Sequence, residues 1–365
     1  LNLFNDDSAA GHMRQVSLNQ IGPDRPMQRS RKILFLADAG LQVGGGHVMR
    51  CLTLAGVLQD LGAQCAFMAS PAVLGVVRAF AKPGIDLIPC TAETMVEAAC
   101  EVSSDAVVVD HYGLQASDET QLRAGRLLIA LDDAPGRPHD CDLLVDSAID
   151  RQPADYEPWV PKGSQIWTGP NFALIRPEFA AARRKVLERR DRDGDVRSIL
   201  VSLGLTDVGA ITAKVVEALV SKGIESRILA VVGSAAPSLP RLRELSGIHA
   251  NLRVEVDVKA MGPVVGEADL AIGAGGSSTW ERCCLGLPGI TLVLADNQAD
   301  MAARLETHGV TRTLDVRQVG FSNQLTDTVT RLINDSAARR SMSAKGSLIC
   351  DGMGAERTAR KILGL

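Results

Sequence analysis

The chain has eight cysteines but no CxxC pair and no cysteine–histidine cluster at zinc spacing, so neither a zinc module nor a dithiol redox motif is expected. Most of the cysteines sit inside apolar runs, as Cys65 and Cys283 do, which reads as reduced core residues of a cytoplasmic protein. No apolar stretch reaches the roughly 20 residues that a membrane helix needs. The first thirty residues lack a basic cluster followed by an apolar core, so they do not read as a secretory signal. An excess of charge of one sign is also missing: 39 Lys and Arg stand against 43 Asp and Glu, a formal net charge of −4. Such a balance gives no general attraction to nucleic acid or anionic lipid, and any phosphate site must be local. What is present, 365 residues of which 46% are hydrophobic and 22% charged, is the material of a globular protein with two domains.

Residues 1–30 are polar and aperiodic and are expected to form a disordered leader. From Arg31 onward, short β-branched apolar runs alternate with segments of helical period. The spacing predicts strands at Ile33–Ala37, Gln64–Met68, Ala106–Asp110, Leu127–Asp132 and Leu143–Asp146, with helices such as Val48–Leu61 between them. A mixed-charge stretch, AAARRKVLERRDRDGD, interrupts the pattern and predicts a solvated linker helix over residues 179–196. The alternation then restarts, with strands at Ser198–Ser202, Arg227–Val232, Leu252–Val256, Leu270–Ile272 and Gly289–Leu294. The expected fold class is α/β: two Rossmann-like halves, 31–178 and 197–365, facing each other across a cleft. Ligands of such sheets sit at the carboxyl ends of the strands.

The segment GGGHVMR, Gly44 to Arg50, falls where the first strand turns into the first helix. Gly45 and Gly46 leave backbone N–H groups free at the helix start, and His47 follows them, an arrangement suited to a phosphorylated ligand held beside a proton acceptor. The partial positive charge of a helix N-terminus disfavours imidazolium, so His47 is expected to be neutral near pH 7 and able to act as a base. The alternative is a tight turn whose histidine merely starts the helix. A dinucleotide fingerprint fits poorly, because the third glycine of GxGxxG falls on Met49.

Polar residues recur at the other strand ends: Asp110, His111 and Tyr112 after one, Asp132 and Asp133 after another, Gly204, Thr206 and Asp207 in the second half, and Asp296, Asn297 and Gln298 near its end. Each taken singly is compatible with a polar loop and a capping residue. GAGGSS, Gly273 to Ser278, repeats the logic of the first motif, with free amides around Gly275 and Gly276, hydroxyls at Ser277 and Ser278, and room for a diphosphate. Glu281 in the following turn either complements the helix dipole or accepts the hydroxyls of a ribose.

Six collinear stretches, GGGHVMRCLTLA, VVDHYGL, LDDAPGRPHDCDLL, GPNFALIRPEF, SLGLTD and GAGGSSTWERCCLGLP with a later DNQ, resemble the UDP-2,4-diacetamido-2,4,6-trideoxy-β-L-altropyranose hydrolases of pseudaminic acid biosynthesis, a route to flagellin or surface glycan modification. The resemblance covers almost everything past Arg31. It implies a GT-B-type fold with the sugar site and the catalytic base in the first half and UDP in the second. It further implies an inverting hydrolysis to UDP and free sugar, with a small-molecule UDP-sugar as partner and no cofactor or metal. Under it His47 is the base for water, Tyr112 lies at the sugar, and Glu281 and Asn297 belong to the substrate cleft. The chain departs from the family pattern at Leu36, usually arginine, at Leu205, usually glycine, and at Ala210 and Asp146, both usually asparagine. Two other readings stand beside it: a glycosyltransferase using a UDP-amino sugar, and a nucleotide-sugar-binding protein without activity.

Overall fold

Seven parallel strands form the first sheet: β1 (Lys32–Ala37), β2 (Gln64–Ala69), β3 (Asp86–Pro89), β4 (Ala106–Asp110), β5 (Leu127–Leu131), β6 (Leu143–Asp146) and β7 (Gln165–Thr168), in the order β3-β2-β1-β4-β5-β6-β7. The second sheet has six, β8 (Ser198–Ser202), β9 (Arg227–Val232), β10 (Leu252–Val256), β11 (Leu270–Ala274), β12 (Gly289–Val293) and β13 (Arg312–Asp315), in the order β10-β9-β8-β11-β12-β13. This computed structural model describes residues 30–37, 45–191 and 194–365, without the side chains of residues 72 and 297. The expected leader, apart from Ser30, and Gly44 of the first glycine motif therefore lie outside the described residues.

Both sheets are doubly wound, and their central strands are covered on both faces. In β1, Ile33, Phe35 and Ala37 face one core while Leu34 and Leu36 face the other, so the strand reads as a continuous apolar run instead of an alternating one. Leu36, one of the departures from the family pattern, is wholly buried beside Met68 and Val109. Every predicted strand is present to within two residues at either end. The strands that the apolar runs do not reveal, β3, β7 and β13, are all at sheet edges and only half-buried, so nothing selects for a buried run there.

In each sheet the winding direction reverses between the two strands at the centre, β1 and β4 in the first and β8 and β11 in the second. Loops leaving such a pair diverge to opposite sides and open a crevice at the strands' carboxyl ends. In the first sheet Ala37, the last residue of β1, pairs with Asp110, the last of β4, so the two strands end level.

Two expectations about organisation need correction. The 179–196 stretch is not a solvated spacer: the helix there, Pro177–Arg190, is fastened to the second sheet's layer. Phe179 is buried with Trp280 and Leu285, and Arg190 donates to the carbonyls of Val265, Ala268 and Leu285 at 2.9, 2.7 and 2.7 Å. Arg183 donates to the carbonyls of Cys284 and Ser347. The charge run looked solvated because long arginine stems can lie along a protein surface while their heads satisfy helix-terminal carbonyls. The second correction concerns the end of the chain. The helix Gly354–Leu363 packs Ala355, Ala359, Ile362 and Leu363 into the core of the first sheet, beside Val48 and Leu52. A Cβ at Gly354 would collide with the backbone of Phe172 and Ala173, so only glycine lets the chain cross back there.

Ala210 lies in the left-handed region, φ 53° and ψ 36°, at the start of the helix Ile211–Ser221. A side chain in that region costs about 1–2 kcal/mol, and glycine's extra unfolded-state entropy offsets roughly half of it. Ala210→Gly should therefore raise stability by about 0.5–1 kcal/mol. A melting temperature at or below that of the parent would show that the surrounding turn relaxes the strain.

Candidate active site

The helix Gly46–Asp60 begins immediately behind Gly45, whose carbonyl accepts from Met49 N at 3.0 Å. Histidine and arginine in the motif HVMR are three residues apart and share one face of that helix. Both point at Asp110, the last residue of β4. Arg50 grips its carboxylate with two hydrogen bonds, Nε to Oδ2 and Nη2 to Oδ1, each 2.6 Å. His47 Nδ1 lies 2.8 Å from Asp110 Oδ1, off the line of a well-aligned ring N–H bond. Asp110 is fully buried.

The electrostatics at His47 run opposite to the direction expected from the helix terminus. Burial alone acts to lower the imidazole pKa, but the contact with the charged Asp110 outweighs it and raises the pKa above 6.5. A full carboxylate charge in contact exceeds the roughly half charge of a helix terminus, which is spread over several amides. Burial also acts to raise the Asp110 pKa, yet the Arg50 guanidinium and His47 hold it well below the usual carboxylate range.

Tyr112 follows β4, and its hydroxyl donates to Asp133 Oδ1 at 2.7 Å while its ring meets the His47 ring edge-on, with centroids 4.7 Å apart. Burial and the neighbouring Asp133 push the phenol pKa up, so Tyr112 is a proton donor in a hydrogen bond and not a phenolate.

These residues form one wall of a cavity of about 520 Å³ between the two sheets, within the range of ligand pockets. Of the residues predicted from the sequence, Gly46, His47, Arg50, Tyr112, Gly275, Gly276, Ser277 and Gln298 line it. The two glycine motifs meet there: a Cβ at Gly46 would stand 3.8 Å from Ser277 Oγ, and one at Gly45 would stand 3.9 Å from Leu205 Cδ1. Leu205, where the family pattern has glycine, thus narrows the approach between the loops. Asp110 lies directly behind the wall.

The remaining predicted residues with described side chains are not on that wall. His111 Nδ1 accepts from Gly113 N at 3.0 Å and closes a local turn. Asp132 points the other way, 3.3 Å from His139 Nε2, in a buried group that Glu119 completes from 2.8 Å on Nδ1. Of the two adjacent aspartates it is Asp133 that enters the cavity, because successive residues leaving a strand point to opposite sides. Gly204 and Thr206 lie in the loop after β8, where the nearby Asp207 is spent on Thr212 and Ser238. Ser278 accepts from Arg282 Nη1 at 3.2 Å. Glu281 sits beneath the glycine loop, paired with Arg176 Nη2 at 2.9 Å, and burial raises its pKa against that partner. The side chain of Asn297 lies outside the described part.

Sequence reasoning named Asp133 at a strand end without choosing it as a site residue, and missed Arg151, Trp280, Asp300 and Arg304; all five line the cavity. Asp133 was legible as a neighbour of Asp132, whereas Arg151 and Arg304 carry no local signal.

Two doubly wound parallel sheets facing across such a cavity define the GT-B fold. Among solved structures, MurG of Acinetobacter baumannii superposes with a TM-score of 0.65 at 14% identity, covering 92% of this chain and all of that one. Arabidopsis thaliana UGT89C1 complexed with UDP superposes at 0.60 with 12% identity, covering 91% of this chain and 100% of that one. In sequence, residues 206–355 match the family model described as Glycosyltransferase family 28 C-terminal domain. The chain is 25% identical over 281 residues to the UDP-2,4-diacetamido-2,4,6-trideoxy-beta-L-altropyranose hydrolase of Campylobacter jejuni, covering 76% of this chain and 97% of that protein. It is 27% identical over 198 residues to the spore coat polysaccharide biosynthesis protein SpsG of Bacillus subtilis, covering 54% and 57% of the two. Among the described residues no helix is long and apolar enough to cross a membrane.

Proposed function

We propose that this protein hydrolyses a UDP-linked 2,4-diacetamido-2,4,6-trideoxy sugar to UDP and the free sugar, with inversion at the anomeric carbon. The observation that carries the reading is His47, backed by Asp110 at 2.8 Å, on the wall of a cavity that the Gly275–Ser277 loop also lines. The similarity to the Campylobacter jejuni hydrolase spans nearly that whole protein and supports the same chemistry. With Nδ1 turned to Asp110, Nε2 is the nitrogen available to a water molecule. Water attacks the anomeric carbon as its proton passes to Nε2, and the bond to the β-phosphate oxygen breaks with its electron pair leaving on UDP. Asp110 stabilises the imidazolium that forms, and the amides of the glycine loop stabilise the departing diphosphate. UDP is a good leaving group, so little acid assistance is needed.

Hydrolysis in oxygen-18 water tests this: the label should appear in the sugar and not in UDP. Label in the UDP phosphate would mean attack at phosphorus, and His47 would then not be the base for attack at the anomeric carbon. Glu281 is read as the ribose contact, and Glu281→Ala should weaken UDP binding by about 1–3 kcal/mol. Unaltered affinity by calorimetry would leave Glu281 as no more than the partner of Arg176.

The match of residues 206–355 to a glycosyltransferase C-terminal domain favours a second reading, transfer of a UDP-amino sugar to an acceptor other than water. UDP release that stays negligible in water and rises only when an alcohol acceptor is added would favour transfer. Tight UDP binding with no turnover of any UDP-sugar would instead favour a binding protein without activity.

A further inference from the structure

On the first half's side of the cavity, beyond His47, stands Arg151, and the sequence around it offers no motif. Its anchor is Asp146 at the end of β6, a fully buried carboxylate. Asp146 accepts from Ala148 N at 2.7 Å, from Arg151 Nε at 2.7 Å and from the hydroxyl of the buried Tyr156 at 3.0 Å. Arg151 Nη2 donates to the carbonyl of Asp133 at 3.3 Å, and its Cζ lies 5.9 Å from the centre of the Tyr156 ring. The guanidinium is thus held on three sides, with its side chain 15% exposed. Among the described residues Nη1 makes no hydrogen bond, and its ion-pair contact with Asp155 is long, at 4.0 Å. Arg151 lines the ligand-sized cavity, and its Nη1 keeps hydrogen-bonding capacity to spare.

We infer that Arg151 Nη1 selects the substrate by donating to an uncharged carbonyl oxygen, the acyl oxygen of an acylamido group on the sugar. The inference rests on the proposed UDP-sugar reading and deepens it. Charge decides the class of acceptor. Each guanidinium lining the cavity already has a carboxylate partner: Arg50 has Asp110 and Asp133, Arg151 has Asp146, and Arg304 has Asp300. A sugar carboxylate would have to shed its water beside Asp133 and Asp146 without a cation left to receive it. An amide carbonyl loses far less on desolvation and regains it in one charge-assisted bond. Asp146, where the family pattern usually has asparagine, is the residue that makes this pair neutral.

The test is competitive binding of four probes, UDP, UDP-glucose, UDP-N-acetylglucosamine and a UDP-2,4-diacetamido-2,4,6-trideoxyhexose, to the parent and to Arg151→Gln. In the parent, at least one step that replaces hydroxyl by acetamido should tighten binding about ten- to a hundredfold, the worth of a hydrogen bond to a charged group. In Arg151→Gln that step should shrink to within about threefold while UDP affinity stays the same. If that variant does not fold because Asp146 loses its partner, Asp146→Asn/Arg151→Gln keeps an uncharged pair and serves the same comparison. Asp146→Asn alone leaves Arg151 with surplus charge and should improve UDP-glucuronate relative to UDP-glucose. An acetamido preference that survives the loss of Arg151, or a parent with no such preference, would overturn the inference while leaving UDP binding intact. Failure of the parent to bind UDP would overturn the functional reading itself.

Discussion

His47→Ala should lower turnover of the UDP-sugar by roughly 10²–10⁴-fold, the range for loss of a general base, and leave UDP affinity within a few-fold of the parent. The imidazole lies in the first half, beside Tyr112 and in the cavity that the glycine loop assigned to the diphosphate also lines, so its removal takes away the acceptor of the water proton and no nucleotide contact. Steady-state rates together with UDP calorimetry separate the two effects. A variant that turns over at the parental rate would remove His47 from the chemistry, and one that loses both turnover and UDP binding would make it a structural residue of the first helix.

The second large effect is expected at Asp110. This carboxylate faces Arg50 through two hydrogen bonds of 2.6 Å and His47 at 2.8 Å, all in a buried setting. Asp110→Ala leaves Arg50 with only Asp133, at 3.4 Å, and breaking a buried pair in this way typically costs about 3–5 kcal/mol. Urea unfolding at pH 7 measures it, and a loss below about 1 kcal/mol would mean that Arg50 swings to solvent. The isosteric Asp110→Asn isolates the electrostatic effect. In the parent, His47 is raised above 6.5. The stability it contributes is therefore fully present below 6.5 and lost as pH rises through the folded-state value. Activity runs the opposite way, because the base must be neutral, so kcat/KM should fall on the acid side with a midpoint above 6.5. Without the Asp110 charge, burial and the Arg50 cation both act downward, and the midpoint should drop below 6.5. Proton resonances of the His47 ring report the same shift without any need for turnover, and an unmoved titration would show that Asp110 does not govern it.

Much of the fold is legible in the chain because its central strands are buried on both faces. Runs such as KILFLA and AVVVD can be nothing but β1 and β4 once helical segments flank them, and glycine behind such a run marks a turn at the carboxyl end of a strand. The edge strands β3, β7 and β13 carry no such run, since half of each faces outward. The site divides along the same line. His47 and Arg50 are three residues apart on one helix, and Gly275 to Ser277 are contiguous, so local pattern points to them. Asp133 and Arg151 enter the cavity only because of the direction in which a loop leaves its strand.

The sequence by itself determined the two rounds of α/β alternation, the glycine turns and the histidine behind the first of them, because each depends on a local period or on backbone freedom at a few adjacent residues. Tertiary structure alone decided the direction in which the His47 pKa shifts, since the carboxylate that outweighs the helix terminus arrives from β4, some sixty residues along the chain. It also decided the destination of the last helix, which returns to the first sheet because its apolar face matches the uncovered core beside Val48 and Leu52. Contacts of that kind are set by which surfaces remain to be buried once both sheets have formed, and no local period in the chain encodes them.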